Sequence, residues 1–371
     1  MSQQRDEVRY QSVAVFAGPS PATGFHFSSG NSGDNLVKQL HRVDTLSDDF
    51  DIPRENVTQF GQLRPFSREI IESPTPTFNF EYYLTNGVNE SRLGLDINGA
   101  ISTISGILNG TQDERNYYAL YVPEGNDAVG FTDRSQHVVV GLGNGFVTSF
   151  EFTAAVGEFA RGSVAVEGAN YRIYTGSQDL EIPAIDPTDG TDIENVFFTI
   201  PNAVSGVANQ PKVIKYGDVN LDLSDTAGLL GATLDGNGKA NLQSFTLSIP
   251  LDREKLDRLG SSFAYARKIN FPIEANLTVE ALVADLNTGN LASYIRSCAD
   301  AEYDFDIDLR ACINNSTKQD VMKFLIRGAT LDSQSFSLSV GDRRTVSIPF
   351  TVTIGAPQDP KGIFISGSFT E

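Results

Sequence analysis

Cysteine is scarce in this sequence, and its scarcity excludes several kinds of site. Among 371 residues there are two cysteines, Cys298 and Cys312, and neither belongs to a CxxC pair or has a histidine nearby. Zinc sites and dithiol redox motifs need such groups of ligands, so neither kind of site is supported. Two interpretations stay open: ordinary thiols, or a disulfide that forms after release from the cell.

Residues that build common catalytic motifs are also few. The sequence has no tryptophan, and its three histidines, His26, His41 and His137, lie far apart. Neither a GxSxG nucleophile motif nor an HExxH metal motif occurs. We therefore predict that the protein is not an enzyme and uses no cofactor or metal. A hydrolase remains an alternative, because distant residues can converge in a fold.

Long apolar runs and basic residues are the other deficits. No apolar run approaches the ~20 residues of a membrane span, and the polar start, MSQQRDEVRYQSVAVF, predicts no secretion signal. The chain has 28 Lys and Arg against 47 Asp and Glu, a net charge of −19. Such a charge repels phosphates, so we expect no specific grip on nucleic acid.

Three segments superficially resemble ligand sites. HVVVGLGNGF (137–146) is glycine-rich, but the sequence after it predicts a strand and not the helix that a dinucleotide site needs, so a bend or bulge is preferred. Asp304, Asp306 and Asp308 alternate along YDFDIDL, which indicates either a cation site or, preferably, an acidic strand face. LDGNGK (234–239) is interpreted as a hairpin turn and not a calcium loop.

What the sequence does contain is a repeat of itself. Residues 54–86 align with a later segment at a constant offset of 199, with more identities than chance composition gives. The identical pairs are Arg54 and Arg253, Glu55 and Glu254, Gly61 and Gly260, Arg68 and Arg267, Ile70 and Ile269, and Glu81 and Glu280. We interpret the repeat as a duplication, and these charged and glycine residues as structural or interface candidates.

Each copy predicts a short helix followed by a strand. Leu256 and Leu259 lie three residues apart behind a possible Asp252 cap, and Gly260 provides a left-handed stop; the first copy repeats this arrangement up to Gly61. Period-two alternation in TFNFEYYL and LTVEALV predicts strands with one apolar face. A further helix is predicted over DINGAISTISGIL (96–108), from its apolar residues at helical spacing.

The order of the remaining segments predicts whole-domain duplication. VTSFEFTAAVGEFARGSVAVEG in the first half matches SQSFSLSVGDRRTVSIPFTVTIG in the second, each as two strands around a glycine turn. We expect an N-terminal arm (1–11), a first domain (12–176), a connector (177–234) and a second domain (235–371). The fold class is mainly β, as two tandem β-sandwich or half-barrel domains, each with a short flanking helix.

Residues 48–95, followed by GNGFVTSFEFTAAVGEFARGSVAVEG, resemble tail tube proteins of tailed bacteriophages. The resemblance covers most of the first half, and the second half follows through its likeness to the first. It implies a virion protein without catalytic residues, whose sheets line a channel when copies of the chain associate. It further implies rings that stack into a tube, contacts with other tail proteins, and DNA that passes through transiently without specific binding. Because some members carry two tube domains per chain, the resemblance implies homotrimeric rings.

Other functions stay open at the level of sequence. A tail-tip or baseplate hub can use the same duplicated fold in a single ring, and a carbohydrate- or host-binding β protein is a different class, disfavoured by the lack of tryptophan. Arg68 and Arg267 are candidates either for ion pairs between stacked rings or, preferably, for tying a loop to its own domain. We also hypothesise that the acidic excess faces the lumen of the tube.

Overall fold

The structure is a computed structural model of the 371-residue chain. It describes residues 12–20, 37–108, 113–176, 180–187, 190–193, 196–205, 213–224, 241–282, 302–312, 318–333, 335–337 and 345–369. Within these ranges the chain is mainly β, as the sequence predicts, and it contains two short α-helices. The N-terminal arm, Cys298 and LDGNGK lie outside the described residues.

Twelve of the strands precede residue 200. They are β1 (Val13–Pro19), β2 (Lys38–Leu40), β3 (Val43–Asp51), β4 (Arg54–Val57), β5 (Ser67–Ile70), β6 (Thr75–Tyr83), β7 (Glu114–Tyr121), β8 (Val138–Ala155), β9 (Arg161–Glu167), β10 (Asn170–Thr175), β11 (Leu180–Glu181) and β12 (Phe197–Phe198). The helices are α1 (Val88–Arg92) and α2 (Ser105–Leu108).

The other ten strands follow residue 200. They are β13 (Val219–Ser224), β14 (Asn241–Pro250), β15 (Arg253–Leu256), β16 (Ala266–Ile269), β17 (Ile273–Leu282), β18 (Glu302–Cys312), β19 (Lys318–Leu331), β20 (Ser335–Ser337), β21 (Thr345–Ile354) and β22 (Gly362–Gly367). Short 3₁₀ turns occur at Arg134–Gln136 and Tyr216–Asp218.

Alternation of apolar residues places the core strands as predicted. In β6, Phe78, Phe80 and Tyr82 are buried in turn, and in β17 Leu277 and Val279 are buried likewise. Successive side chains of a strand point to opposite faces, so each strand presents one apolar face to the interior. Strand β6 also lies between β3 and β9, as β17 lies between β14 and β21, so the two strands have equivalent places in the two halves.

Sixteen strands form one continuous antiparallel sheet system that runs through both halves. Its main path is β13-β18-β19-β21-β17-β14-β8-β7-β1-β2. The halves meet where β14 pairs with β8. The core also crosses this boundary, since the rings of Phe152 and Phe324 lie 4.9 Å apart between centroids.

The two halves use the same strand pairings. In the first half the pairs are β1–β7, β7–β8, β8–β9, β8–β10, β3–β6, β6–β9 and β4–β5. In the second half they are β13–β18, β18–β19, β19–β21 with β20–β21, β19–β22, β14–β17, β17–β21 and β15–β16. Each of these pairs has a counterpart in the same order along the chain, whereas the additional pair β1–β2 of the first half has none among the described strands.

The predicted helix at the start of each repeat is wrong, because these residues form a β-hairpin in both copies. Strand β4 pairs with β5 and β15 pairs with β16. The amide of Phe66 donates to Val57 at 2.9 Å, and that of Tyr265 donates to Leu256 at 3.0 Å, which closes the two hairpins identically. Gly61 and Gly260 do adopt positive φ values, 85° and 90°, but in the loops and not at a helix end.

The longer helix predicted over 96–108 is confirmed only at its end. Helix α2 begins at Ser105, and the residues before it form turns, with an isolated bridge from Asn98 to Ser366. Glycine at position 99 has a φ of 74°, a left-handed conformation that interrupts a helix.

The segment that carries α1 and α2 lies against the second half, since the amide of Thr103 donates to the carbonyl of Ile363 at 2.9 Å and the amide of Gly367 donates to the carbonyl of Ile97 at 2.9 Å. The corresponding segment of the second half lies outside the described residues.

The segment predicted as a connector (177–234) contains β11, β12 and β13. Strand β13 pairs with β18 of the second half, as β1 pairs with β7 of the first. Strands β11 and β12 pair with each other, and Leu180 and Phe198 pack in a second core with β1 and β7 residues. The division into two domains stays a prediction. Among the described residues, no helix is long and apolar enough to span a membrane.

Candidate functional site

The strands at the boundary between the halves have unequal surroundings. Strand β14 lies between β17 and β8, so both of its edges are paired. Its counterpart β3 pairs only with β6 among the described strands, and β20 pairs only with β21. One junction between halves is therefore made inside the chain, whereas within the described part of the chain the equivalent edges at β3 and β20 have no partner strand. An open edge can add a strand from another chain.

The junction inside the chain is well packed. Leu247 of β14 lies opposite Phe152 of β8, and Ile249 lies opposite Phe150. All four side chains are buried. The pairing continues beyond the strand, where the amide of Leu251 donates to the carbonyl of Thr148 at 2.8 Å. Backbone bonds and apolar burial together hold the second half against the first.

Arg253 strengthens this junction from the base of the second hairpin (252–270). Its guanidinium donates two hydrogen bonds to the carboxylate of Asp113, and Nε donates to the carbonyl of Val147 at 3.1 Å. The side chain is 4% exposed, and its guanidinium carbon lies 4.9 Å from the ring centroid of Phe146. A bidentate contact of this kind is stronger than an exposed ion pair.

Arg267, on the facing strand of the second hairpin, also binds the first half. Nη2 donates to the carbonyl of Gly168 at 2.9 Å, and Nη1 lies 3.4 Å from the carboxylate of Glu167. Burial lowers the pKa of Arg267, and the charge of Glu167 opposes that shift. The Gly168 amide donates to the carbonyl of Pro76, which has no amide hydrogen to return, so the Gly168 carbonyl is left for the arginine. Arg267 therefore does not tie the hairpin to its own half.

Further contacts extend along the second hairpin. Lys255 Nζ donates to Thr75 Oγ1 at 2.8 Å. Phe263 packs so closely on Gly190 that a Cβ there would lie 2.5 Å from its ring. Polar and apolar contacts of the second hairpin thus reach several segments that precede it in the chain.

The first hairpin (53–71) has the same backbone but none of these contacts. Arg54 and Arg68 are exposed, and neither side chain has a hydrogen-bond or ion-pair partner among the described residues. Apolar side chains are exposed too, including Phe60 at 107%, Leu63 at 109% and Phe66 at 65%. Exposed apolar residues concentrated on one element indicate a surface for a partner.

The remaining candidate residues have local roles. Glu55 and Glu254 are exposed on the two hairpins, opposite Glu69 and Lys268. Glu81 accepts a hydrogen bond from Arg161 at 3.3 Å, and Glu280 accepts one from Ser244 at 2.9 Å. Gly61 and Gly260 have open space where a side chain would begin. The structure brings Arg253 and Arg267 together around Phe146 and leaves the others apart.

Sequence reasoning missed the receptors of the two arginines. Asp113, Phe146 and Glu167 lie in the first half, outside the segment that aligns at an offset of 199. They are contacted by residues 100 or more positions later in the chain, such as Asp113 by Arg253 at a separation of 140. No local pattern in the sequence marks such a partner.

The glycine-rich segment 137–146 is part of β8 and contains a bulge, as predicted. The register between β7 and β8 shifts between Arg115 and Tyr117, and Asn144 has a φ of 50°. Gly143 allows close approach of another segment, since a Cβ there would lie 2.2 Å from the carbonyl oxygen of Pro183. The segment is therefore a packing site for the backbone.

The acidic strip on β18 is paired with basic residues of β19. Asp306 lies 2.6 Å from Arg327, and Asp308 lies 3.0 Å from Lys323. Asp308 is buried, so the strip is not a solvated face along its whole length. No cluster of three or more metal-ligating side chains occurs within the described ranges. Cys312 is half-buried and forms no disulfide with another described residue.

Comparison with known proteins gives partial structural similarity. No family model matches the chain, and no curated protein matches it. The SPP1 tail tube is similar over 46% of this chain and 80% of its own, with 12% identity and a TM-score of 0.29. The baseplate of the anti-feeding prophage is similar over 47% of this chain and 98% of its own, with 11% identity and a TM-score of 0.28. Both likenesses are coarse and each covers less than half of the chain.

Proposed function

We propose that this chain is a structural subunit of a phage tail that associates with copies of itself into rings, which stack into a tube that conducts DNA. The observation that carries the proposal is one junction within the chain together with two edges that match its two sides. One β14–β8 junction is built within the chain, and the equivalent edges, β3 and β20, are open among the described strands. The assignment to a phage tail is supported by the sequence resemblance of residues 48–95 to tail tube proteins.

A repeated head-to-tail junction has a geometric consequence. When the same surfaces join each unit to the next, the assembly closes into a ring if the rotation per unit divides a full turn, and otherwise grows as a helix. Two equivalent units per chain in a six-unit ring correspond to three chains. We therefore propose an internal duplication and a homotrimeric, pseudo-hexameric ring, located in the virion with other tail proteins as neighbours.

The charge of the chain supports conduction of DNA over its retention. A net charge of −19 disfavours the phosphate contacts by which proteins hold duplex DNA. At physiological salt, electrostatic repulsion extends only about 8 Å, so an acidic wall discourages adsorption without closing a wide channel. This role needs no catalytic residue and no cofactor.

Negative-stain microscopy of the purified full-length chain tests the proposal over a range of protein concentrations. Long hollow tubes are the expected result. Single rings that never stack would favour the alternative of a tail-tip or baseplate hub. Monomers at every concentration would overturn the proposal, and their retention on host-surface glycans would then favour a host-binding β protein.

A further inference from the structure

We infer that the first hairpin and β3 of one chain dock on the second half of a neighbouring copy, in the manner in which the second hairpin and β14 dock on the first half of their own chain. This inference rests on the proposed self-association and names its contact surface. The partner is a second copy, because the chain itself contains a surface that binds such a hairpin. The first half binds the second hairpin, and the second half has the corresponding strands for the first hairpin of another copy.

The correspondence between the halves follows from strand register. Residues of the two hairpins correspond at an offset of 199, as in the pairs Arg54–Ile70 and Arg253–Ile269. The same offset carries Thr77 to Asn276, which lie opposite Glu167 and Thr351. Glu167 therefore corresponds to Thr351. Residues of the strands that pair with β9 and β21 then correspond through the residues that lie opposite them.

This correspondence fixes the register of the proposed contact. Within the chain, Ser248 of β14 lies opposite Glu151 of β8. The counterpart of Ser248 is Asp49, at the same offset of 199. Glu151 lies opposite Ser163, and its counterpart Ser335 lies opposite Ser347. Between chains, Asp49 should thus lie opposite Ser335 of the neighbouring copy, and the open edges of β3 and β20 become paired.

Register also identifies acceptors for the exposed arginines of the first hairpin. Val147 lies opposite Val166, and its counterpart Leu331 lies opposite Phe350. Arg54 should therefore donate to the carbonyl of Leu331, as Arg253 donates to Val147. By the same correspondence, Arg68 should meet the carbonyl of Val352, as Arg267 meets that of Gly168.

The junction between chains should be weaker than the junction within the chain. Phe146, which lies under both arginines of the second hairpin, corresponds to Thr330. Pro76 corresponds to Ala275, which has an amide hydrogen to offer to the Val352 carbonyl. Strand β3 carries four aspartates in VDTLSDDFD, and charge on an edge strand opposes unregulated pairing. These differences fit a contact that forms only during assembly.

The apolar surface of the first hairpin supports a protein partner. Phe66 is 65% exposed, whereas its counterpart Tyr265 is 46% exposed. Ile70 is 53% exposed, whereas its counterpart Ile269 is half-buried. Docking of the first hairpin on a neighbour would reduce the exposure of Phe66 and Ile70, as docking within the chain reduces that of their counterparts. It would leave Phe60 at the tip exposed, as Leu259 is at 104%.

Disulfide trapping tests the inference in the full-length chain. In a background with Cys298→Ser and Cys312→Ser, the pair Asp49→Cys and Ser335→Cys should form interchain bridges under mild oxidation, because residues opposite each other in neighbouring strands bring their Cβ atoms within bridging range. The pair Ser248→Cys and Glu151→Cys is the matched control and should bridge within one chain. The pair Asp49→Cys and Thr353→Cys should not bridge.

Microscopy of the same samples separates the two levels of the proposal. Rings with interchain bridges between positions 49 and 335 support the inference. Rings of unbridged chains, with the Ser248 and Glu151 control bridged, overturn the inference and leave the proposed function standing. Failure of the cysteine-free background and of the unaltered chain to form any ring overturns the proposed function and the inference together.

Charge reversal gives an independent readout of the hairpin contact. Arg68→Glu should raise the protein concentration needed for half-maximal assembly by about tenfold, with unchanged circular dichroism and melting temperature of the monomer. Lys268→Glu, an equal charge change on the exposed face of the second hairpin, should shift that concentration less than about twofold. Equal shifts for the two variants would contradict a specific role of Arg68.

Discussion

At the scale of the residue, equivalent positions in the two halves have different surroundings. Arg253 and Arg267 are nearly buried and hold groups of the first half, whereas Arg54 and Arg68 are exposed. A buried guanidinium with a bidentate partner resists removal, since its loss leaves a carboxylate and a carbonyl without their donor. The same residue type therefore stabilises the monomer in one copy and is available to a partner in the other.

Alanine substitution distinguishes the two copies. Arg253→Ala should lower the free energy of unfolding by about 2 kcal/mol or more, because it leaves Asp113 and the Val147 carbonyl without their donor. Arg54→Ala, at the equivalent exposed position, should change it by less than about 0.5 kcal/mol. Urea unfolding of the monomeric protein provides the measurement. A loss of similar size in both variants would contradict the assigned contacts.

Glu90 gives the monomer a dependence on pH. Burial raises the pKa of Glu90 to about 6 from its usual value of 4.5, and the hydrogen bond from Tyr82 only partly opposes this. The folded state therefore binds the proton more tightly than the unfolded state does. Stability contributed by this group is present below pH 4.5 and is lost as the pH rises through about 6.

Glu90→Gln should remove that loss. Near pH 8 the variant should be more stable than the parent chain by about 2 kcal/mol, and near pH 4 the two should be equal. Subtracting the two stability curves cancels the opposite effect of His41, whose pKa is lowered to about 4 by burial and by Arg92 and Arg42. A difference in stability between the two proteins that does not change with pH would exclude the Glu90 carboxyl as the source of the pH dependence.

At the scale of the element, sequence patterns predicted which segments form strands better than they predicted which strands pair. Alternation in TFNFEYYL correctly indicated β6, because one face of that strand is buried. The apolar spacing that suggested helices at 252–260 failed, because four-residue strands carry no reliable period and β15 is fixed by its partner β16. The sequence allowed one or two strands in the connector but did not indicate that β13 pairs with β18, because that partner lies far along the chain, with Val219 opposite Leu309.

The bulge in β8 depends on glycine at position 143. Gly143→Ala should lower the free energy of unfolding by about 2 kcal/mol or more, because the new Cβ would lie 2.2 Å from the Pro183 carbonyl oxygen and the backbone must move. Gly217→Ala is the matched control, since a Cβ at position 217 would meet no neighbouring atom within 4 Å. Thermal unfolding measures both variants, and equal melting temperatures would contradict the close approach at Gly143.

At the scale of the whole molecule, charge and open edges suggest different behaviour toward DNA and toward copies of the chain. The net charge of −19 predicts that the protein does not retain duplex DNA in an electrophoretic shift assay. This should hold even at a low salt concentration of about 20 mM, where phosphate contacts are strongest. Retention that weakens as salt is added would instead reveal a basic surface and contradict passage without binding.

A cryo-electron microscopy map of the assembled ring tests the proposed assembly most directly. The expected ring contains three chains and six equivalent units, and the junction between β3 and β20 of neighbouring chains superposes on the β14–β8 junction within each chain. A ring whose chains meet through other surfaces, with the outer edge of β3 left without a partner strand, would contradict the proposed assembly.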